Sequence, residues 1–134
     1  MSQTNELEIM ERIALDLEHV EESLASSFNT GAEDFNALIR PLSAAGGKRL
    51  RAQLCLLIAN AGTSIERQRI KIAEAVEMLH LATLIHDDVL DQAEIRRGED
   101  TIHMHKGNKV AILSGDYLFA KAFKIVSEMT NMKY

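Results

Sequence analysis

Residues 66–92 read ERQRIKIAEAVEMLHLATLIHDDVLDQ, a stretch without proline or glycine in which three aspartates follow a run of apolar residues. It predicts one uninterrupted helix, roughly 40 Å long at 1.5 Å per residue. Residues four positions apart share a helix face, so Asp87 and Asp91 are predicted to project together. His80 lies on the same stripe because it precedes Asp87 by seven positions, whereas Asp88 is rotated away by about 100°.

The acidic pair formed by Asp87 and Asp91 predicts a metal site. Two carboxylates on one face repel each other unless a cation lies between them. Mg²⁺ is commonly bound by one or two carboxylates and keeps water and phosphate oxygens as its other ligands. The pair therefore suits a magnesium ion that bridges to a diphosphate, with a solvated acidic helix end as the alternative.

Two basic clusters accompany the acidic pair. Lys48, Arg49 and Arg51 follow two glycines, and Arg96 and Arg97 follow the aspartates within a few residues. The planar guanidinium matches phosphate oxygens, and lysine adds a point charge. Either cluster alone could be solvated surface charge. Together with the acidic pair they predict two anion sites, one reached through metal and one directly.

The remaining segments also predict helices, so we expect an all-α fold. Residues 5–27 carry an apolar seam, a shorter helix stops near Pro41, and a third helix over 49–62 closes at Gly62. A polar loop over 93–107 precedes a last helix, which Asn108 caps. The seam consists of Met10, Ile13, Leu17, Val20 and Leu24. Thr63 and Glu66 are predicted to form a capping box before the long helix.

Composition excludes several classes of protein. The net charge of −5, from 15 Lys and Arg against 20 Asp and Glu, argues against nucleic-acid binding. No apolar run approaches the roughly 20 residues of a membrane span, and the acidic N-terminus does not read as a signal peptide. Cys55, the single cysteine, is predicted to be a core residue and allows no internal disulfide, so a cytoplasmic location is expected.

Four motifs occur in an order that resembles the all-trans polyprenyl diphosphate synthases, or trans-prenyltransferases. They are GGKRLR (46–51), LHLATLIHDDVLD (79–91), RRGEDTIH (96–103) and AILSGDYL (111–118). The resemblance implies the N-terminal part of the isoprenoid synthase fold, with long antiparallel helices around a central cavity. It also implies one partial domain over 1–134, with an N-terminal helix over 1–30 and the substrate and metal helices over 31–134.

The resemblance implies a reaction and a role for each matching residue. Such enzymes condense isopentenyl diphosphate with an allylic diphosphate that Mg²⁺ holds while its C–O bond ionises. Asp87 and Asp91 would be the metal ligands, with Asp88 supporting the catalytic cluster, and Arg96 would reach the allylic diphosphate. The residues implied to hold isopentenyl diphosphate are Lys48, Arg51, His80 and Arg97.

Other residues refine these expectations. His86 points off the stripe and is assigned no ligand role, and His103 and His105 lack the further ligands of a zinc site. Ala82 and Thr83 stand where short-chain producers of the family tend to place an aromatic ring. A medium- or long-chain product is therefore expected.

The chain also departs from the family pattern. Relatives are much longer and carry a second aspartate-rich motif, whereas no aspartate follows Asp116 here. We therefore expect the N-terminal part of a longer enzyme, or a chain completed by a partner subunit. The last helix is apolar over a wide arc, which predicts a homo-oligomer. That arc consists of Ala111, Ile112, Leu118, Phe119, Ala122, Phe123 and Val126. By itself the chain is expected to have little or no prenyl transfer activity.

Four other interpretations remain. A non-catalytic or regulatory subunit of a heteromeric prenyl diphosphate synthase would explain the length but not the full set of substrate-type residues. A terpene cyclase shares the acidic motif but does not need both basic clusters. An HD-type phosphohydrolase, suggested by His86 and Asp87, would require further metal ligands. A helical interaction module would require none of these residues.

Overall fold

The computed structural model describes residues 3–44, 47–62 and 65–130 and confirms the predicted all-α fold. The described helices are α1 (Gln3–Ser27), α2 (Glu33–Ala44), α3 (Leu50–Ala61), α4 (Glu66–Leu90), α5 (Ile102–Lys106) and α6 (Asn108–Thr130). Two short strands, β1 (Ile95–Arg96) and β2 (Glu99–Asp100), form an antiparallel hairpin. In the part of the chain that the structure describes, no helix is long and apolar enough to cross a membrane.

Helix α4 is the centre of the fold. It packs mainly against α6, and also against α3 and α1. Ala73, Ala75 and Ala82 are buried along it, and their small side chains let the neighbouring helices approach closely. Met78 is fully buried between them, and burial of a side chain of this size contributes about 1.5–3 kcal/mol. The acidic end of α4 is therefore carried on the best-packed element of the chain.

A buried carboxylate ties α1 to α4. Glu74 is fully buried and accepts hydrogen bonds from Ser23 Oγ at 2.6 Å and Ser27 Oγ at 2.5 Å. Lys71 Nζ lies 3.1 Å from the same carboxylate and neutralises it. Because all of these groups are paired, the charge is tolerated inside the interface.

The N-terminal predictions are right for the elements and wrong in two details. Val20 and Leu24 are buried as expected, but Met10 is 67% exposed because the buried part of α1 begins only at Asp16. The second helix does not stop near Pro41, since α2 continues to Ala44. Pro41 has no backbone N–H to donate, and the helix continues past it with one hydrogen bond fewer.

The ends of α4 and α6 differ slightly from prediction. Ile65 is the N-cap of α4 and makes no side-chain cap, and Thr63 lies outside the described residues. Asn108 is already helical, and Gly107 O accepts the first bond, from the N–H of Ala111. Cys55 is half-buried against the core, and burial raises the pKa of its thiol.

The predicted loop over 93–107 is more ordered than its polar sequence indicates. The β1–β2 hairpin turns through Arg97 and Gly98, whose φ angles are 52° and 81°. Two positive φ values are the requirement of a type I′ turn, which matches the twist of the flanking strands. Arginine is unusual at the first turn position, so the pattern gave little sign of a hairpin.

The apolar arc of α6 is divided between core and surface. Ala111, Leu118 and Ala122 are fully buried. Phe123 is 64% exposed and Ile112 is 43% exposed. The predicted exposure of this arc is therefore correct for its outer part only.

Candidate functional site

The predicted acidic pair lies at the C-terminal end of α4. Asp87 and Asp91 are both exposed, and the Asp91 N–H donates to Asp87 O at 2.8 Å, which keeps the last turn helical. Two exposed carboxylates four positions apart are hard oxygen donors of the kind that a divalent metal such as Mg²⁺ prefers. The donor set therefore fits such an ion.

Asp88 is directed elsewhere, as its rotation on the helix predicts. It is buried, and Arg96 grips its carboxylate, with Nε 2.8 Å from Oδ2 and Nη2 2.6 Å from Oδ1. This ion pair raises the pKa of the Arg96 guanidinium, chiefly through the hydrogen bonds that it donates to Asp88. Asp88 thus fastens the β1–β2 hairpin to α4, and the guanidinium predicted to reach an allylic diphosphate is engaged with it.

Residues of the two basic clusters come together near His80 of α4. Arg51 Nη1 lies 3.2 Å from His80 Nε2, across the α3–α4 interface. Gly47 has a φ of +69°, and a Cβ at this position would lie 3.6 Å from Nη2 of Arg97. The glycine backbone therefore lies against the Arg97 guanidinium, which brings the loop carrying Lys48 to the hairpin. Three of the residues predicted to hold one diphosphate, Arg51, His80 and Arg97, therefore come to this region from three separate segments.

His80 lies between these basic residues, and its surroundings favour the neutral imidazole. Burial and the positive charge of Arg51 lower its pKa, with smaller contributions from Arg97 and Arg96, while Glu77 opposes them. Arginine can only donate, so Nε2 must accept from Arg51 and the ring proton lies on Nδ1. A bound anion would offset the surrounding positive charge and favour protonation of the ring.

Sequence reasoning missed the position of Arg49. Within the first basic cluster it was expected to face anions or solvent, but it is buried with a φ of 53°. Its Nε lies 2.5 Å from Glu21 Oε1, and its Nη1 lies 3.6 Å from Glu77 Oε2. Both carboxylates are distant in sequence, and no local pattern marks them as partners.

His86, which was predicted to point off the stripe, packs against α6. Its Nε2 lies 3.0 Å from Ile112 O and 3.3 Å from Asp116 Oδ1. The ring occupies the space above Gly115, where an added Cβ would lie 2.2 Å from Nε2. Sequence reasoning assigned Gly115 no function, although a lone glycine within a helical pattern is a signal of close packing.

The remaining histidines do not form a metal pair. His103 Nε2 is hydrogen-bonded to the carbonyl of Ala93, while His105 lines a cavity. Within the described ranges, one three-residue group has metal-ligand spacing: Asp16, His19 and Glu66. Arg69 already binds both carboxylate oxygens of Asp16, at 2.7 Å and 3.1 Å, so this group is an ion-pair cluster.

A cavity of about 690 Å³ lies between α2, α4, the hairpin, α5 and α6. His80, Asp88, Arg96 and Arg97 are on its polar side. Its apolar side includes Leu38, Leu42, Leu81, Leu84, Ile85 and Ile102. The acidic pair lies outside this lining, so the described cavity adjoins the basic clusters more closely than the predicted metal ligands.

The fold and its solved neighbours define a helical protein of the isoprenoid synthase class. A sequence model described as Polyprenyl synthetase matches residues 32–134, and the chain belongs to this family. The family's enzymes are transferases that use isopentenyl and allylic diphosphates and divalent metal ions.

Individual relatives agree with this assignment. Solanesyl diphosphate synthase 1, chloroplastic, from Arabidopsis thaliana is 34% identical over 93% of this chain and 32% of its own length. Heptaprenyl diphosphate synthase component 2 from Geobacillus stearothermophilus is 39% identical over 87% of this chain and 36% of its own. The chain spans about a third of the length of these curated relatives.

A solved structure agrees with the fold. The polyprenyl synthase from Caulobacter crescentus CB15, crystallised with calcium and isoprenyl diphosphate, is 36% identical to the chain and superposes with a TM-score of 0.84. The match covers 92% of this chain and 38% of that protein.

Proposed function

We propose that the chain supplies the isopentenyl diphosphate site and the first metal-binding motif of an all-trans polyprenyl diphosphate synthase. The observation that carries this proposal is the contact of Arg51 with His80, close enough to Arg97 for its charge to lower the pKa of His80, while Arg97 lies against Gly47, the residue before Lys48. A cationic group of this kind suits a diphosphate that carries no metal of its own. The carboxylates at the helix end suit a second diphosphate that is bound through metal.

Asp87 and Asp91 would hold Mg²⁺, which when bound neutralises charge on the diphosphate leaving group. The Caulobacter relative, crystallised with calcium and isoprenyl diphosphate, supports a divalent cation and a prenyl diphosphate as ligands. The task of this chain's own residues is to orient two anions near each other. Arg51 and Arg97 would hold one diphosphate directly.

A medium- or long-chain product is part of the proposal. Thr83 is exposed on α4, one turn before Asp87, and presents no ring that could block a growing chain. Ala82 is fully buried, so it does not border that open face. The relatives are named for products of varied length, among them solanesyl, heptaprenyl and geranylgeranyl diphosphates, so the proposal rests on Thr83.

The isolated chain is proposed to have little or no transfer activity and to associate with itself or with a partner chain. Exposed apolar side chains on α3 and α6 support association. They include Leu50, Leu54, Leu57, Ile58 and Phe123. A non-catalytic subunit is the second candidate, because one relative is named as component 2 of a heptaprenyl synthase. A cytoplasmic location stays a prediction, and the Arabidopsis relative is named as chloroplastic.

Titration calorimetry with Mg²⁺ and inorganic pyrophosphate tests the proposed site without requiring turnover. Asp87→Asn and Asp91→Asn should each weaken Mg²⁺-dependent pyrophosphate binding about tenfold or more. Glu11→Gln, an exposed substitution on α1, is the control and should change nothing. Wild-type protein that binds no pyrophosphate at millimolar Mg²⁺ would overturn the proposal.

An activity assay tests the remaining part. Isopentenyl and farnesyl diphosphates are incubated with the chain, and product is separated by length. Little or no product is expected, and robust turnover would refute the proposed dependence on further helices or a partner. Activity that returns only on mixing with a large subunit would favour the non-catalytic subunit.

A further inference from the structure

Arg49 differs in its surroundings from the other two residues of the first basic cluster. Lys48 and Arg51 are exposed, whereas Arg49 is buried and adopts a left-handed backbone conformation with φ of 53° and ψ of 43°. Residues other than glycine seldom adopt this backbone conformation unless contacts in the surrounding structure stabilise it. The contacts of the Arg49 guanidinium provide that stabilisation.

The Arg49 guanidinium joins three helices. On α1, Glu21 accepts from Nε at 2.5 Å and from Nη2 at 3.3 Å. On α4, Glu77 Oε2 lies 3.6 Å from Nη1, and on α2 the carbonyl oxygen of Ser43 accepts from Nη2 at 2.5 Å. Glu77 is itself buried, so Arg49 is the cation that makes its charge tolerable.

The same glutamate also holds the start of α3. Glu77 Oε1 accepts a hydrogen bond at 3.0 Å from the backbone N–H of Ala52, in the first turn of that helix. The N-cap residue Arg49 makes no side-chain cap of its own, so Glu77 takes that function from the neighbouring helix. Arg51 precedes Ala52, and His80 follows Glu77 by one helical turn. The network therefore sets the relative position of two residues that touch at 3.2 Å.

We propose that Arg49 is a positioning residue for the diphosphate site, which through Glu21 and Glu77 holds Arg51 against His80 and directs Lys48 and Arg51 outward. This inference rests on the proposed function for the identity of the ligand, but not for the arrangement itself. It gives α1 a part in the site, because Glu21 is one of the two carboxylates that fix the guanidinium.

Titration of His80 by NMR reads this arrangement directly, without any ligand. Burial and the charge of Arg51 lower the pKa of its imidazole in the wild-type protein. Arg49→Lys keeps a cation beside Glu77 but cannot span both carboxylates and the Ser43 carbonyl, so Arg51 should separate from His80. The pKa of His80 should then rise toward its ordinary value. The resonance is assigned with His80→Gln.

Two further variants control this measurement. Glu21→Gln leaves the Arg49–Glu77 pair in place and removes only the α1 contact, so it should move the His80 pKa in the same direction by less. Glu22→Gln, one residue along and exposed, is the matched control and should leave the titration unchanged. Far-ultraviolet circular dichroism and urea midpoints establish that each variant is folded. If Arg49→Lys does not fold, Glu21→Gln decides.

Pyrophosphate binding gives an independent second measurement. Without added Mg²⁺, pyrophosphate should bind to Arg49→Lys about tenfold more weakly than to the wild type, because one charge-assisted contact from the misplaced Arg51 is lost, and Glu22→Gln should bind it unchanged. A wild-type chain that binds no pyrophosphate would sink the proposed function, while the His80 titration would still decide the positioning role. A His80 pKa that is the same in wild type, Arg49→Lys and Glu21→Gln, all folded, would overturn the inference.

Discussion

Gly115→Ala provides a sharp test of how α4 and α6 hold the acidic helix end. An alanine Cβ at this position would lie 2.2 Å from His86 Nε2 and 2.3 Å from its Cδ2. Neither distance is possible, so the His86 ring must leave its place beside Ile112 O and Asp116.

The expected cost follows from three opposing effects. Alanine is favoured over glycine within a helix by about 0.5–1 kcal/mol. Forcing a group into a packed contact costs about 1–3 kcal/mol, and the lost hydrogen bond from His86 to Ile112 O adds about 1 kcal/mol. The net destabilisation should be about 1–3 kcal/mol, which corresponds to roughly 3–5 °C in Tm for each kcal/mol.

Thermal and urea unfolding followed by circular dichroism measure this cost. Gly31→Ala is the control, because nothing lies within 4 Å of an added Cβ there, and it should be close to neutral. In a His86→Ala background the obstructing ring is gone, so Gly115→Ala should stabilise the protein by about the helix-propensity difference of 0.5–1 kcal/mol. The reasoning is refuted if Gly115→Ala stabilises the otherwise wild-type protein, or if its cost is unchanged by removal of His86.

Two further ion pairs yield predictions. Asp16→Asn should cost about 3 kcal/mol at neutral pH because it leaves Arg69 without its buried partner. Burial raises the pKa of Asp16, but hydrogen bonds from Arg69 and Asn60 outweigh it and lower the pKa overall. The ion pair therefore stabilises the fold fully above the pKa of Asp16 in the unfolded chain, and this stabilisation is lost as pH falls through the lower pKa of the folded protein. The urea midpoints of wild type and variant should converge at that pH. A difference between the midpoints that does not change with pH would contradict this. Asp88→Asn should cost about 1–3 kcal/mol and speed amide exchange in the β1–β2 hairpin, because Arg96 loses the carboxylate that it binds. Unchanged exchange rates would show that the ion pair does not hold the hairpin in place.

The parts of the fold that sequence predicts well are those governed by local rules. Nothing in the sequence of α4 interrupts the helix, so its length was predicted closely: it ends at Leu90, two residues before the predicted end. The shared exposure of Asp87 and Asp91 and the inward turn of Asp88 follow from helical angles alone. The predicted stop near Pro41 is wrong because a helix can continue past a proline with the loss of one backbone hydrogen bond.

The parts that sequence could not predict depend on contacts between distant segments. Arg49 stands among basic residues, and its burial is decided by Glu21 and Glu77, each 28 positions away. The pairing of Arg96 with Asp88 depends on a hairpin too short to leave a pattern of alternation. In both cases a buried charged side chain is paired with a residue from another segment, and composition and spacing do not predict such a pairing.

The type I′ turn at Arg97–Gly98 has a consequence for two chemically identical neighbours. Arg96 ends a strand and turns inward to a carboxylate, while Arg97 opens the turn and lies against the backbone of Gly47. A shift of one residue in the register of this hairpin would turn Arg96 to the opposite face and Arg97 likewise, although no amino acid is altered. Insertions or deletions between positions 95 and 100 should therefore be far more damaging than replacement of either arginine by lysine.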